Sequence, residues 1–281
     1  NGNCNAVSDA VTFLITPSPT VNAGVDRTVC ANNVAVTLAG SFTVATGGVW
    51  SGGNGTFDPS TTNVSAIYTA SAAEIANGSV TLTLTTTGNG NCIAVVDQMV
   101  INFTAAPVVN AGAPVSLCAN NAQVSLGGSV SGATGGVWSG GTGTYNPNNT
   151  TLNATYTPTA GEIAGGTLTL TLTSTGNGTC NAVQSSRVIT FTPAPTVSAG
   201  PNGTVCANNS SITLAGSQSG ATGAVWSGGT GTYNPNNATL NAIYTPSAAE
   251  RTAGTVTLTL TTVGNGNCNA VSSNVTYSIT P

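Results

Sequence analysis

Val80-Thr-Leu-Thr-Leu-Thr85 alternates apolar and polar residues with a period of two, the pattern of a strand buried on one face. Val80, Leu82 and Leu84 are expected to face a core, and Thr81, Thr83 and Thr85 to face water. Working outward, Val34-Ala-Val-Thr-Leu-Ala39 alternates in the same way. Val64–Thr69 and Val95–Thr104 read as further strands, and Val49–Ser51 as a short one that carries Trp50. Asn32-Asn33, Gly52-Gly53-Asn54-Gly55 and Gly88-Asn89-Gly90-Asn91 supply turns, because Gly and Asn tolerate positive φ. The last of these joins two strands as a hairpin. One place reads as helical. Ser71-Ala-Ala-Glu74 is a capping box, and Gly78 stops the turn about six residues on.

The same reading recurs along the chain. Trp50, Trp138 and Trp226 are spaced by 88 residues, as are Cys30, Cys118 and Cys206, and Cys4, Cys92, Cys180 and Cys268. Tyr68, Tyr156 and Tyr244 keep the step, and so do Glu74, Glu162 and Glu250. Ser131–Pro158 and Ser219–Pro246 differ only at Gly136/Ala224, Thr150/Ala238 and Thr155/Ile243, which indicates recent tandem duplication. A period of 88 suits a small independent domain rather than a solenoid turn. Pro17–Ser18–Pro19, Ala105–Ala106–Pro107 and Pro193–Ala194–Pro195 mark the joins. They delimit repeats 19–106, 107–194 and 195–281, while 1–18 matches the C-terminal end of a preceding repeat. The chain is therefore expected to be an excerpt of a longer array. Short strands in number and one Trp per repeat predict an all-β protein of tandem immunoglobulin-like antiparallel β-sandwiches. With tight proline joins and about 35–45 Å per domain, three repeats are expected to form an elongated rod about 120 Å long.

Composition narrows the function. The chain has 281 residues, three Lys+Arg (all arginine), seven Asp+Glu and no histidine, so 4% is charged where ordinary soluble domains carry about 25%. A net charge of −4 gives no nucleic-acid footprint and no basic patch for a membrane surface, so neither partner is expected, nor membrane insertion. Lack of lysine removes Schiff-base and P-loop chemistry, and lack of histidine removes the commonest general base and metal ligand. The recurring carboxylates Glu74, Glu162 and Glu250 are accounted for by capping, and no G-x-S-x-G occurs. No catalytic, cofactor-binding or metal site is expected, and the protein reads as no enzyme. Asp9, Asp26, Asp58 and Asp97 are too few and unrepeated for a calcium site. Thr81-x-Thr83-x-Thr85 reads as the solvent face of a strand rather than an ice-binding array. The Asn-x-Ser/Thr sequons at Asn63, Asn77 and Asn153 read as turn chemistry.

Two residue sets are candidate sites. Trp50, Trp138 and Trp226 are expected in the sandwich cores, with sugar stacking as the alternative that would make the repeats glycan-binding. Cysteines form the second set. The simplest pairing is within each repeat, Cys30–Cys92, Cys118–Cys180 and Cys206–Cys268, leaving Cys4 unpaired. It is the preferred pairing, but an alternative stays open. In a plain immunoglobulin topology the first and last turns lie at opposite poles, beyond the roughly 7 Å Cα limit of a disulfide. Cys30 would then meet Cys180, and Cys118 would meet Cys268, stapling one repeat to the next. Either way disulfides imply an oxidising, extracytoplasmic setting.

Ala23-Gly-Val-Asp-Arg-Thr-Val-Cys30, the Val-Thr-Leu-Ala-Gly strand, Gly48-Val-Trp-Ser-Gly-Gly, Tyr-Thr-Pro and Gly-Asn-Gly-x-Cys, in this order, resemble the PKD-like and Ig-like repeats of giant secreted surface proteins of Bacteroidota. The resemblance spans all three repeats and implies a PKD-like β-sandwich, a cell-surface location, type IX secretion and a stalk or adhesin role, in gliding motility among others. The Asp of the Ala-Gly-x-Asp signature is replaced by Pro114 and Asn202 in the later repeats, and the acidic Trp-x-Phe-Gly-Asp-Gly segment is absent. The expected function is a structural segment of an extracellular fibre, stalk or filament whose partners are neighbouring repeats, other copies in a fibre and surface glycans. Accessory domains of a secreted polysaccharide-degrading enzyme are a further alternative.

Overall fold

The structure is a computed structural model that describes residues 2–281. It is all-β with three short helices, and the first repeat contains the whole pattern. Its strands are β1 (Thr20–Asn22), β2 (Arg27–Cys30), β3 (Ala35–Thr37), β4 (Ser41–Thr43), β5 (Gly47–Ser51), β6 (Thr56–Asp58), β7 (Ile67–Thr69), β8 (Ser79–Thr87) and β9 (Val96–Thr104). The helix α1 (Ala72–Asn77) lies between β7 and β8. One sheet has the order β2-β9-β8-β5 and the other β3-β7-β6, with β1 paired to β4. The second and third repeats build the same three sheets. These are tandem immunoglobulin-like β-sandwiches.

The strand that opened the sequence reading is β8. Val80, Leu82 and Leu84 are buried and the threonines between them point outward. Its partner β9 follows through the Gly88–Asn91 turn as an antiparallel hairpin, from Ser79↔Asn102 to Thr85↔Val96. Each repeat encloses its own core: Ala23 to Ile101, Ala111 to Phe191, and Ala199 to Ile279. Gly40 lies under the indole of Trp50, where an added Cβ would come within 3.0 Å of the ring and 2.7 Å of Leu84. Only glycine leaves room for the tryptophan there.

The structure departs from the expected all-antiparallel sandwich at one pair. β2, the second strand of the repeat, runs parallel to β9, the last, from Arg27↔Ile101 to Cys30↔Thr104. Both strands therefore finish at the same pole, where the chain leaves the repeat. This is the feature that decides the cysteine pairing.

All three helices close with the predicted capping box. The hydroxyls of Ser71, Thr159 and Ser247 accept from the backbone N–H of Glu74, Glu162 and Glu250, whose carboxylates accept in return from the cap N–H. Val44 is a local anomaly, a β-branched residue at φ 67, where the equivalent Gly132 and Gly220 have φ 72 and 73. Left-handed backbone brings a Cβ against the following carbonyl, which glycine avoids.

Residues 5–19 form neither strand nor helix. Val11, Phe13 and Ile15 stand at the repeat positions of Met99, Ile101 and Phe103. They are nevertheless exposed, whereas Met99 and Ile101 are in the core.

The chain packs as two compact units, Asn1–Val108 with Gly176–Ala182, and Val109–Thr175 with Val183–Pro281. The loop 176–182 belongs by sequence to the second repeat and by packing to the unit that holds the first. No helix among the described residues is long and apolar enough to cross a membrane.

Candidate functional site

The cysteines pair across repeats. Cys30 is bonded to Cys180 with Cα atoms 4.8 Å apart, and Cys118 to Cys268 with Cα atoms 5.0 Å apart. This overturns the preferred pairing of Cys30–Cys92, Cys118–Cys180 and Cys206–Cys268. Cys4, Cys92 and Cys206 are free. The reason lies in the parallel pair. Cys30 sits beside Thr104, at the end of β9, while Cys92 precedes the start of β9 at Val96. Nine residues of strand separate the two poles, about 30 Å at ~3.3 Å per residue, several times the Cα reach of a disulfide.

Each bridge has a built surround. The chain after Cys30 turns back on itself, with the Asn33 N–H donating to the Cys30 carbonyl at 2.9 Å. The turn presents Asn32 and Asn33. Asn32 Nδ2 donates to the Asn181 carbonyl at 3.0 Å, and the Asn181 N–H donates to Asn32 Oδ1 at 3.0 Å. This side-chain amide thus pairs with backbone as a neighbouring strand would. Asn181 Nδ2 donates to the Asn32 carbonyl at 2.7 Å, and Asn33 Nδ2 to the Thr179 carbonyl at 3.0 Å. The second bridge repeats all four contacts. Asn120 Nδ2 donates to the Asn269 carbonyl at 3.0 Å and Asn269 Nδ2 to the Asn120 carbonyl at 2.7 Å. The Asn269 N–H donates to Asn120 Oδ1 at 3.0 Å, and Asn121 Nδ2 to the Asn267 carbonyl at 3.1 Å. Every bond is between neutral groups. The first bridge lies within the first compact unit and the second within the other.

The tryptophans are not available for sugar stacking. Trp50, Trp138 and Trp226 are 1%, 0% and 0% exposed. Their indole N–H groups donate to the carbonyls of Val64, Leu152 and Leu240 at 3.2, 3.1 and 3.1 Å. Burial of the whole ring with its one polar atom satisfied makes each a core residue and corrects the glycan-contact alternative.

A second constellation escaped the sequence reading. Glu74 does more than cap α1. Its Oε1 accepts from the Tyr68 hydroxyl at 2.7 Å and the Asn54 N–H at 2.6 Å, and its Oε2 from the N–H and hydroxyl of Ser71 at 2.7 and 2.8 Å. Tyr68 in turn accepts from the Gly55 N–H at 3.0 Å and packs on Phe57, with ring centroids 4.7 Å apart. One buried carboxylate therefore ties the β5–β6 loop, β7 and α1 together. Gly53 (φ 74) borders this node so closely that a Cβ would overlap the Tyr68 hydroxyl. Glu162 with Tyr156, and Glu250 with Tyr244, build the same node. Its signal in the sequence is the Tyr-x5-Glu spacing and the Gly-Gly pair recurring at the 88 step.

Burial pushes the Glu74 carboxyl up, but the bonds from Tyr68, Ser71 and Asn54 together hold it below the usual carboxylate value. Glu162 and Glu250 are held down in the same way. Burial, with the Glu74 hydrogen bond second, pushes the Tyr68 hydroxyl up to about 12. All four donors of the node thus face one acceptor that stays ionised. It is spent on structure. Among the described residues no three His, Cys, Asp or Glu side chains gather where they could hold a metal ion.

No protein-family model and no curated protein matches this chain. Among solved structures it is similar to the titin I-band fragment I67–I69, at 11% identity and a TM-score of 0.43, covering 95% of this chain and 99% of that one. It is also similar to mouse protocadherin-24 EC1–3, at 10% identity and a TM-score of 0.38, covering 97% and 100%. Drosophila N-cadherin EC1–4 is similar at 12% identity and a TM-score of 0.35, covering 94% and 76%. The likeness is one of fold alone.

Proposed function

We propose that the chain is a structural segment of a long extracellular surface fibre, stalk or filament that supports adhesion or surface motility. The stapling carries this reading: Cys30–Cys180 and Cys118–Cys268 each join one repeat to the next and so resist separation of neighbours rather than unfolding of one. Disulfides of this kind persist in oxidising compartments. A chain with 4% charged residues gains little from ion pairs at its surface and is nearly indifferent to salt. The resemblance to PKD-like and Ig-like repeats of Bacteroidota surface proteins fits the same role, with export by the type IX route. The reading is non-catalytic, since the recurring carboxylates are engaged by the nodes. Neighbouring repeats and further copies are its partners.

The test is made on unpermeabilised cells that express the protein. Antibody to the chain is expected to label the cell exterior, and peptide mapping without reduction of the recovered protein is expected to show the 30–180 and 118–268 links. Label only after permeabilisation, or 30–92 and 118–180 links, would overturn the proposal.

A further inference from the structure

Six Asn-Gly pairs lie among the described residues, with asparagines at 54, 77, 89, 177, 202 and 265. Such a pair can react with itself, because glycine leaves its backbone nitrogen unhindered beside the asparagine side-chain amide. The reaction needs that N–H free to lose its proton. It also needs the side chain and the peptide plane free to turn toward one another. Five of the pairs are held against it.

At Asn54 the Gly55 N–H donates to the Tyr68 hydroxyl at 3.0 Å, inside the node. At Asn202 the side chain is engaged, since its Oδ1 accepts from the Thr276 N–H at 2.8 Å. The other three lie in the hairpin turns, where the carbonyl of the Asn-Gly peptide is itself fixed. The carbonyls of Asn89, Asn177 and Asn265 accept there from the N–H groups of Cys92, Cys180 and Cys268, each at 3.0 Å. Nδ2 of Asn89 and of Asn265 also donates to the Thr86 and Thr262 carbonyls, each at 3.2 Å.

Asn77 has none of these restraints. It is the last residue of α1, and its exposed side chain makes no hydrogen bond. Gly78 is exposed at φ 82, with nothing within 4 Å of the place a Cβ would take. The Gly78 N–H has one bond, to the Ile75 carbonyl at 3.1 Å, at the end of a six-residue helix. Helix ends are where local opening costs least. Gly165 and Ala253 stand at this position in the later repeats, so the pair is peculiar to the first.

We propose that Asn77 is a modification site, at which the chain converts its own side-chain amide to a carboxylate with water as the co-reactant. The Gly78 nitrogen loses its proton and attacks Asn77 Cγ. A succinimide ring closes as the Cγ–Nδ2 bond breaks, and Nδ2 leaves with the proton as ammonia. Water then opens the ring. Breaking the new N–Cγ bond gives aspartate, and breaking the bond from that nitrogen to the Asn77 main-chain carbonyl gives isoaspartate. No electrons are exchanged. Either product puts a negative charge at the C-terminal end of α1, where the helix dipole opposes it and the last turn holds no basic residue. Isoaspartate also lengthens the backbone beside Gly78, whose carbonyl accepts from the Phe103 N–H at 2.9 Å and so ties α1 to β9. The first repeat thereby weakens with age at a point where the other two do not.

The test incubates the whole protein, disulfides intact, in mildly alkaline buffer and counts aspartate and isoaspartate at all six sites by peptide mass spectrometry. Conversion at Asn77 is expected to run about tenfold faster than at any of the other five, the factor that one hydrogen bond supplies. With denaturant and reductant present the six sites should draw level. Hydrogen exchange of the Phe103 amide is expected to quicken in the aged parent and to stay unchanged in Asn77→Ala. A folded chain in which Asn77 does not lead, or a lead that persists in denaturant, would overturn the proposal. Equal Phe103 exchange in aged parent and variant would overturn the weakening of the repeat.

Discussion

The node around Glu74 and the staple around Cys30 are both built from turn residues, yet they work in opposite ways. The node is buried, ionic and internal to one repeat, with four donors on one carboxylate. The staple is peripheral and uncharged, and joins two repeats through one covalent bond and four amide contacts. Folding of a repeat is thus sensitive to protons, and linkage of repeats to electrons. Two agents should separate them.

Reduction has the largest expected effect. With both bridges intact, a chain pulled from its ends runs from residue 1 to Cys30, from Cys180 back to Cys118, and from Cys268 to 281. At ~3.6 Å per residue this extends to about 370 Å, against about 1,000 Å for the reduced chain. Single-molecule pulling with and without reductant checks it, and equal limits would break the comparison. Repeats should still unfold one by one after reduction, because each core lies within one repeat.

Glu74→Gln attacks the other side. In either orientation the amide NH2 would face a backbone N–H, that of Asn54 or that of Ser71, leaving buried polar groups unpaired, at a cost of about 2–3 kcal/mol in the first repeat. Chemical denaturation is expected to show that loss while the 30–180 link stays in place. Acid should act in the same direction. The Glu74 carboxyl titrates below its ordinary 4.5, so its contribution is present above about pH 4.5 and is lost as pH falls through the lower folded value. At the alkaline end the Tyr68 contribution is present below its ordinary 10.0 and is lost as pH rises through about 12. A melting temperature that stays constant from pH 7 to pH 3 would remove the ionic node from the account.

Val44→Gly lies outside both devices and is expected to stabilise the first repeat by about 1 kcal/mol, as relief of left-handed backbone in a β-branched residue. Calorimetry checks it, and the nodes and staples should not respond. Smallest is Asn33→Ala, which removes one solvent-exposed bond to Thr179. A loss of about 0.5 kcal/mol is expected, read as faster reduction of 30–180 than of 118–268.

Much of the sandwich was legible in the residues. The alternation in β8, the glycine-asparagine hairpin and the three capping boxes report local preferences, and neighbours in sequence satisfy them. β1, β2, β4 and β6 were missed because each is only three or four residues long and shows no full alternation. The Tyr68–Glu74 node was half legible. Spacing explained the cap, but the Asn54 N–H that completes the carboxylate comes from twenty residues away. Trp50 was expected in the core from its strand, and its burial removed the sugar-stacking alternative.

The sequence by itself determined the repeat of 88 residues, the sandwich class, the helix caps and the poverty of charge. Tertiary structure alone decided which cysteines meet. Cys30 is 62 residues from Cys92 and 150 from Cys180 along the chain, and it pairs with the more distant one. The parallel run of β2 beside β9 carries Cys30 to the far pole of its repeat. A disulfide is governed by a few ångströms of space, and sequence separation carries no information about that distance once strands from the two ends of a repeat lie side by side.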